Sequence, residues 1–238
     1  MNQQVSPDAA GAAQGCAKRL LEILQESVTS AGRATMAVSG GTTPKLMFVA
    51  LAASGFIWDK VHLFWVDERA VPPSDEQSNY KLACENFITP AGFPKRNVHR
   101  VHGEIDPDQA ARRYRDEIEE FFDLARGAFP AFDVIHCGTG DEGHTASLFP
   151  GEAHIEDRTG LTAAVFAPKL PHWRVTMLPG VLLAAKHTLM LVAGADKNPV
   201  LKEVVLGEYD PWQYPVQLLA REGVDVEWFL DEAAAAGL

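Results

Sequence analysis

Four times along this 238-residue chain a short apolar run, rich in β-branched residues, stops at glycine or charge and gives way to a helical pattern. The runs end at Ser39, Asp67, Gly138 and Gly194. Strands that alternate with helices and have short connections build a mostly parallel sheet with right-handed crossovers and helices on both faces. The predicted fold is therefore α/β, a doubly wound three-layer α/β/α unit. It is expected to span residues 1–238 as a single domain, with residues from about 145 to 185 forming a small lobe over the site. In such a sheet ligands bind beyond the carboxyl ends of the strands, so the four stops are expected to share one edge.

Between these units the periodicity predicts an amphipathic helix over residues 8–30, in which Leu20, Leu21, Ile23 and Leu24 form the apolar stripe. Residues 1–6 are polar and expected to fray. Ser78 and Asn79 lead into a helix over 80–87. Asp106-Pro107 opens a longer one to about Arg126, with Ala110, Tyr114, Ile118, Phe121 and Phe122 inward. Extended runs are expected near 161–166 and 224–230.

Composition matters mainly for what it excludes. At 47% apolar and 22% charged, the chain can bury a core and is not of disordered type. A net charge of -11 argues against nucleic-acid or anionic-membrane partners, which would be repelled. Cys16, Cys84 and Cys137 are odd in number and widely spaced, which indicates neither a disulfide framework nor a zinc ribbon. No signal-like or bilayer-length apolar stretch is present, so a cytoplasmic protein is expected.

The stretch after the first strand, Ser39-Gly40-Gly41-Thr42-Thr43-Pro44, could cradle a phosphate. Its glycines permit close backbone approach, its hydroxyls can donate, and Pro44 suits the first turn of a helix whose free N–H groups and dipole favour an anion. The same loop also reads as an ordinary strand-to-helix turn, and it lacks P-loop spacing. Arg69 stands at the end of the second strand; taken alone, a surface salt bridge with a neighbouring carboxylate is the better account of it, and ligand binding gains weight only if the other strand ends converge there. Pro168-Lys169-Leu170-Pro171-His172-Trp173-Arg174 is a proline-stiffened basic loop.

The third unit, Phe132 to Gly151, carries the chemistry. A strand and a glycine-punctuated turn lead to His144, expected to open a short helical segment, with Asp141 and Glu142 beside it. A neutral histidine can accept a proton from water near pH 7, and a carboxylate can orient it. His136 lies inside the apolar run and reads as a core histidine. Ser147 lacks the nucleophile-elbow pattern, and the match of residues 138–143 to Gly-x-Gly-x-x-Gly is weak without its usual helix context. His99 and His102 have no accompanying ligands at metal spacing, so no metal is expected.

The segment Gly138-Thr-Gly-Asp-Glu-Gly-His-Thr-Ala-Ser-Leu-Phe-Pro-Gly151 resembles the signature of the 6-phosphogluconolactonase family. Ser39 to Pro44, Asp67-Glu-Arg69 with Ser78-Asn-Tyr80, Pro168-Lys169 with Arg174-Val-Thr176, and Gly194-Ala-Asp-Lys197 follow in the family's order. The resemblance implies hydrolysis of 6-phosphogluconolactone to 6-phosphogluconate in the oxidative pentose phosphate pathway, without cofactor, on a fold shared with sugar-phosphate deaminases and isomerases. It implies His144 as the water-activating base. Ser39, Gly40, Gly41, Thr42, Thr43, Arg69, Lys169 and Arg174 would bind phosphate and sugar hydroxyls. One departure is Glu142, where the family usually has Asp before the Gly-His pair; its extra methylene moves the carboxylate by about 1 Å.

Two other readings compete. A deaminase of the same fold would continue from the histidine with an Asn-Glu-Pro type segment, whereas residues 147–150 are Ser-Leu-Phe-Pro. A non-catalytic sugar-phosphate sensor would bind without turnover. For the partner, a phosphorylated sugar lactone is expected, with no nucleic acid and no membrane, and the chain is expected to act as a monomer.

Overall fold

The computed structural model of the chain describes residues 2–167 and 172–238. The predicted basic loop falls largely outside them, and Lys169 with it. Among the described residues nine strands form two sheets, a parallel one of six strands and an antiparallel one of three. In the first sheet β1 (Asn2–Ser6), β2 (Ala34–Val38), β3 (Val61–Trp65), β5 (Val134–Cys137), β8 (His187–Val192) and β9 (Val226–Asp231) run in the order β1-β9-β8-β5-β2-β3. Every pairing in it is parallel. From β1 at one edge the chain crosses to β2, moves out to β3 at the opposite edge, then returns to β5 on the other side of β2. Loops after β2 and β5 therefore diverge, leaving a crevice between them at the switch point.

Both faces of the sheet are covered, as the predicted three layers require. On one face lie α1 (Ala9–Ala31), α2 (Thr42–Ala52) and α3 (Asn79–Ala83), packed on Met36, Val38, Leu63 and Trp65. On the other lie α4 (Pro107–Phe122), α5 (Pro179–Leu183), α6 (Asn198–Leu206) and α7 (Val216–Glu222), packed on Ala37, Phe64, Ile135 and Met190. The alternation of Met36, Ala37 and Val38 between the two cores is the period-two pattern of a strand buried on both sides. α1 starts where Asp8 accepts the Gly11 N–H at 2.8 Å and ends at Gly32, whose φ of 76° suits the left-handed cap.

The smaller sheet joins β4 (Asp67–Arg69), β7 (His172–Met177) and β6 (Thr162–Ala167). It continues from β3: Val66 accepts the Met177 N–H at 2.8 Å, and Thr162 Oγ1 donates to Ala111 O of α4 at 2.7 Å. So β6 and β7 come from the stretch predicted as a lobe, while β4 comes from the second strand-helix unit and anchors them.

Three local expectations change. Residues 2–6 are not frayed but form β1, an edge strand paired with β9; four of its five side chains are exposed. Its stability comes from backbone pairing, which leaves no apolar signal in the sequence. No helix follows His144; turns and an isolated bridge between Thr145 and Leu148 replace it. Side-chain and backbone bonds to the smaller sheet hold that segment instead. The helix expected to reach Arg126 stops at Phe122, where Asp123 turns left-handed at φ 51° and its N–H caps the last turn.

Candidate active site

A cavity of about 540 Å³ opens at the carboxyl ends of β2, β5, β8 and β9. Its walls bring together Ser39, Gly40, Gly41, Thr42 and Thr43 from one side, Arg69 and Asp67 from β4, Lys197 from beyond β8 and Asp231 from the end of β9. The four predicted strand ends thus converge on one edge.

On the β2 side the chain enters α2 through Gly41, at φ 124° and with no side chain capping the helix. The first bond of that helix is Lys45 N–H to Gly41 O at 3.1 Å, so the Thr42 and Thr43 N–H groups precede it and face the crevice side of the dipole. An anion there would meet backbone donors and hydroxyls together. Gly40 is required for space: a Cβ on it would fall 1.9 Å from Asn79 Oδ1.

Asn79 holds the adjoining cation. Its Oδ1 accepts from Arg69 Nη1 at 2.6 Å and its Nδ2 donates to Asp67 O at 2.9 Å. Arg69 also donates to Gln77 O at 2.7 Å. Among the described residues no carboxylate pairs with this guanidinium, so the salt-bridge account of Arg69 does not apply and its charge stays available to a ligand. The loop is pinned from below by Glu68, buried, which accepts from the N–H groups of Arg69, Asn79 and Tyr80 at 2.7, 2.8 and 2.7 Å. Burial pushes the Glu68 carboxyl up, while those backbone donors oppose the shift.

Arg174 stands opposite Arg69 in the β4–β7 register but is placed differently. It is buried behind the cavity wall, with Nη1 3.6 Å from Asp67 Oδ2 and its guanidinium carbon 5.7 Å from the Phe149 ring centroid. Burial lowers its pKa, against the opposing pull of Asp67.

On the β5 side, cavity-lining Gly138, Thr139 and Ala146 bracket His144, which is not itself in the wall. Thr145 Oγ1 donates to Gly138 O at 3.0 Å and the Gly140 N–H donates to His144 O at 3.0 Å, closing the turn. His144 Nδ1 is buried 3.2 Å from Glu142 Oε1, a close contact without the alignment of a straight hydrogen bond. The imidazole is 23% exposed, which leaves Nε2 as the open nitrogen. Its neighbour holds the Glu142 carboxyl well below the usual carboxylate range, keeping it ionised. Asp141 is exposed.

The remaining sequence candidates have ordinary roles. His136 is wholly buried. His99 bridges His62 at 3.0 Å and Glu117 at 2.8 Å, and His102 lies 3.2 Å from Glu104. Among the described residues no three His, Cys, Asp or Glu side chains are grouped to hold a metal ion. Lys197 is 3.2 Å from Asp196. Sequence reasoning gave no role to Asp67, Asn79 or Phe149 and read Ser147 as structural. Ser147 Oγ donates to Asp67 Oδ2 at 2.8 Å across 80 residues, and its N–H donates to Thr176 Oγ1 at 3.1 Å. The paired blocks 67–69, 78–80 and 174–176 were the only signal for these contacts.

Comparison with known proteins points the same way. Residues 7–228 match the family described as glucosamine-6-phosphate isomerases/6-phosphogluconolactonase. The chain is 36% identical to the 6-phosphogluconolactonase of a Synechocystis strain over 90% of this chain and 89% of that protein. It is equally 36% identical to the 6-phosphogluconolactonase of a Nostoc strain, over 99% and 97%. The solved structure of 6-phosphogluconolactonase from Trypanosoma cruzi superposes with a TM-score of 0.89 at 25% identity, covering 100% of this chain and 96% of that one.

Proposed function

The chain belongs to the glucosamine-6-phosphate isomerase/6-phosphogluconolactonase family, and we propose from this that it hydrolyses 6-phosphogluconolactone to 6-phosphogluconate, with His144 as the base. The observation that carries the site assignment is the pairing of His144 Nδ1 with ionised Glu142, 3.2 Å apart, across the β2/β5 crevice from an uncapped helix N-terminus and an unneutralised arginine.

The substrate phosphate is held by the backbone N–H groups and hydroxyls of Ser39 to Thr43 together with Arg69. By the family resemblance Lys169, which lies outside the described residues, is assigned to substrate binding. Arg174 acts from behind the wall by fixing Asp67, whose carboxylate accepts sugar hydroxyls. Water attacks the lactone carbonyl carbon while His144 Nε2 takes one of its protons. The charge arising on imidazole is stabilised by Glu142, and the oxyanion of the tetrahedral intermediate by the neighbouring donors. The ring C–O bond then breaks, the imidazolium returns the proton to the leaving oxygen, and acid and hydroxyl are released. All the assigned residues come from one chain, so a monomer suffices; light scattering tests that.

The test is the disappearance of 6-phosphogluconolactone, generated from glucose 6-phosphate by a dehydrogenase, measured above its spontaneous hydrolysis. A catalysed rate with no ammonia released from glucosamine 6-phosphate is expected. Binding without any excess rate would mean a sensor instead.

A further inference from the structure

Phe149 has no role in the mechanism above, yet it is the side chain that meets both His144 and Arg174. Its ring centroid is 4.8 Å from that of His144, inclined at 45°, and the Arg174 guanidinium carbon lies 5.7 Å from the same ring centroid. The imidazole is confined elsewhere too. A Cβ on Gly140 would fall 2.1 Å from His144 Nδ1 and 2.3 Å from Cε1, so that edge rests directly on the Gly140 backbone. Glu142 restrains Nδ1 at 3.2 Å. Phe149 provides the remaining wall.

Phe149 is itself fixed from the smaller sheet. It is 9% exposed and clusters with Val165 and Ala167 of β6. The turn that returns it to His144 is held by the Leu148 N–H donating to Thr145 O at 2.9 Å and passes through Ala146 at φ 49°. Left-handed backbone at a non-glycine costs on the order of 1 kcal/mol, which the bonds from Ser147 to Asp67 and Thr176 offset.

We propose that Phe149 is a positioning residue that holds the His144 imidazole in its productive orientation and makes that orientation depend on the β6–β7 strands through Arg174. The proposal rests on the assignment of His144 as the base. A flat ring offers a broad surface against which an imidazole cannot tilt, whereas an aliphatic side chain of similar bulk does not. A displacement of about 1 Å in a reacting group can cost about a hundredfold in rate.

The experiment compares Phe149→Leu and Phe149→Met with Phe149→Tyr. Both aliphatic variants should lose at least about tenfold in kcat with KM within about twofold, and Phe149→Tyr should recover most of that loss. In parallel, the His144 ring proton signals, identified by their absence in His144→Gln, should lose their aromatic ring-current shift in the aliphatic variants and keep it in Phe149→Tyr. Wild-type kcat in a folded aliphatic variant, a change in KM alone, or an unchanged ring-current shift would overturn the proposal. An active His144→Ala would remove the base assignment instead, while the ring-current shifts still report whether Phe149 holds the ring.

Discussion

The loops after β2 and β5 leave adjacent strands of one sheet and face the same crevice, yet they are built on opposite principles. After β2 the chain runs straight into α2, and the proposed binding surface is backbone: glycines, free N–H groups and a helix dipole. After β5 no helix forms, and the segment is held by side chains reaching into another sheet, Ser147 to Asp67 at 2.8 Å and to Thr176 at 3.1 Å. The first arrangement suits an anion whose position must be fixed. The second suits an imidazole that must be oriented and still reachable by water.

On the proposed function this contrast gives binding to one loop and chemistry to the other, and it can be broken. The largest effect is expected from His144→Ala, with kcat reduced by about 10²–10⁴-fold and KM changed little; steady-state kinetics would expose an error if KM rose instead. Next is Arg69→Ala, expected to raise KM by roughly tenfold to a hundredfold, the equivalent of losing one charge-assisted contact of about 1.5–3 kcal/mol. Gly40→Ala forces a Cβ into Asn79 and displaces the group that holds Arg69, so it should also act on KM, by about tenfold. A fall in kcat alone from Gly40→Ala would erase the distinction between the loops.

Smaller effects are expected on stability. Ser147→Ala strips a bond from the buried Asp67 carboxylate and should cost about 1–3 kcal/mol in denaturant unfolding, with a lesser loss of kcat. His136, buried in β5 with both ring nitrogens unpartnered among the described residues, has its pKa lowered from 6.5 to about 3 by desolvation. The unfolded chain takes up a proton there that the folded chain refuses. Stability from this group is therefore complete above about pH 6.5 and declines as pH falls toward 3, by at most about 1.4 kcal/mol per pH unit. Unfolding midpoints of His136→Leu measured across that range should be flatter than wild type; a parallel pair of curves would remove the account.

Much of the architecture was legible because it is written in local patterns. Runs such as Ala34–Val38, buried at every position, and the strand-stop-helix repeat imply a parallel sheet wherever they occur. β1 was not legible, since an edge strand held by backbone pairing gives its side chains nothing to report. The segment after His144 was misread as helix because its conformation is decided by partners 80 and 29 residues away.

The sequence by itself determined the α/β class, the glycine loop that opens α2, and the histidine with its neighbouring carboxylate, because propensity, spacing and residue chemistry act over a few positions. Only the tertiary structure decided how the cations divide. Arg69 and Arg174 are neighbours across β4 and β7, but Arg69 is held by uncharged acceptors at the cavity and Arg174 is buried against Asp67 and Phe149. Two arginines of equal charge acquire different roles because burial and partners, set by strand register, determine whether that charge is left for a ligand or used within the fold.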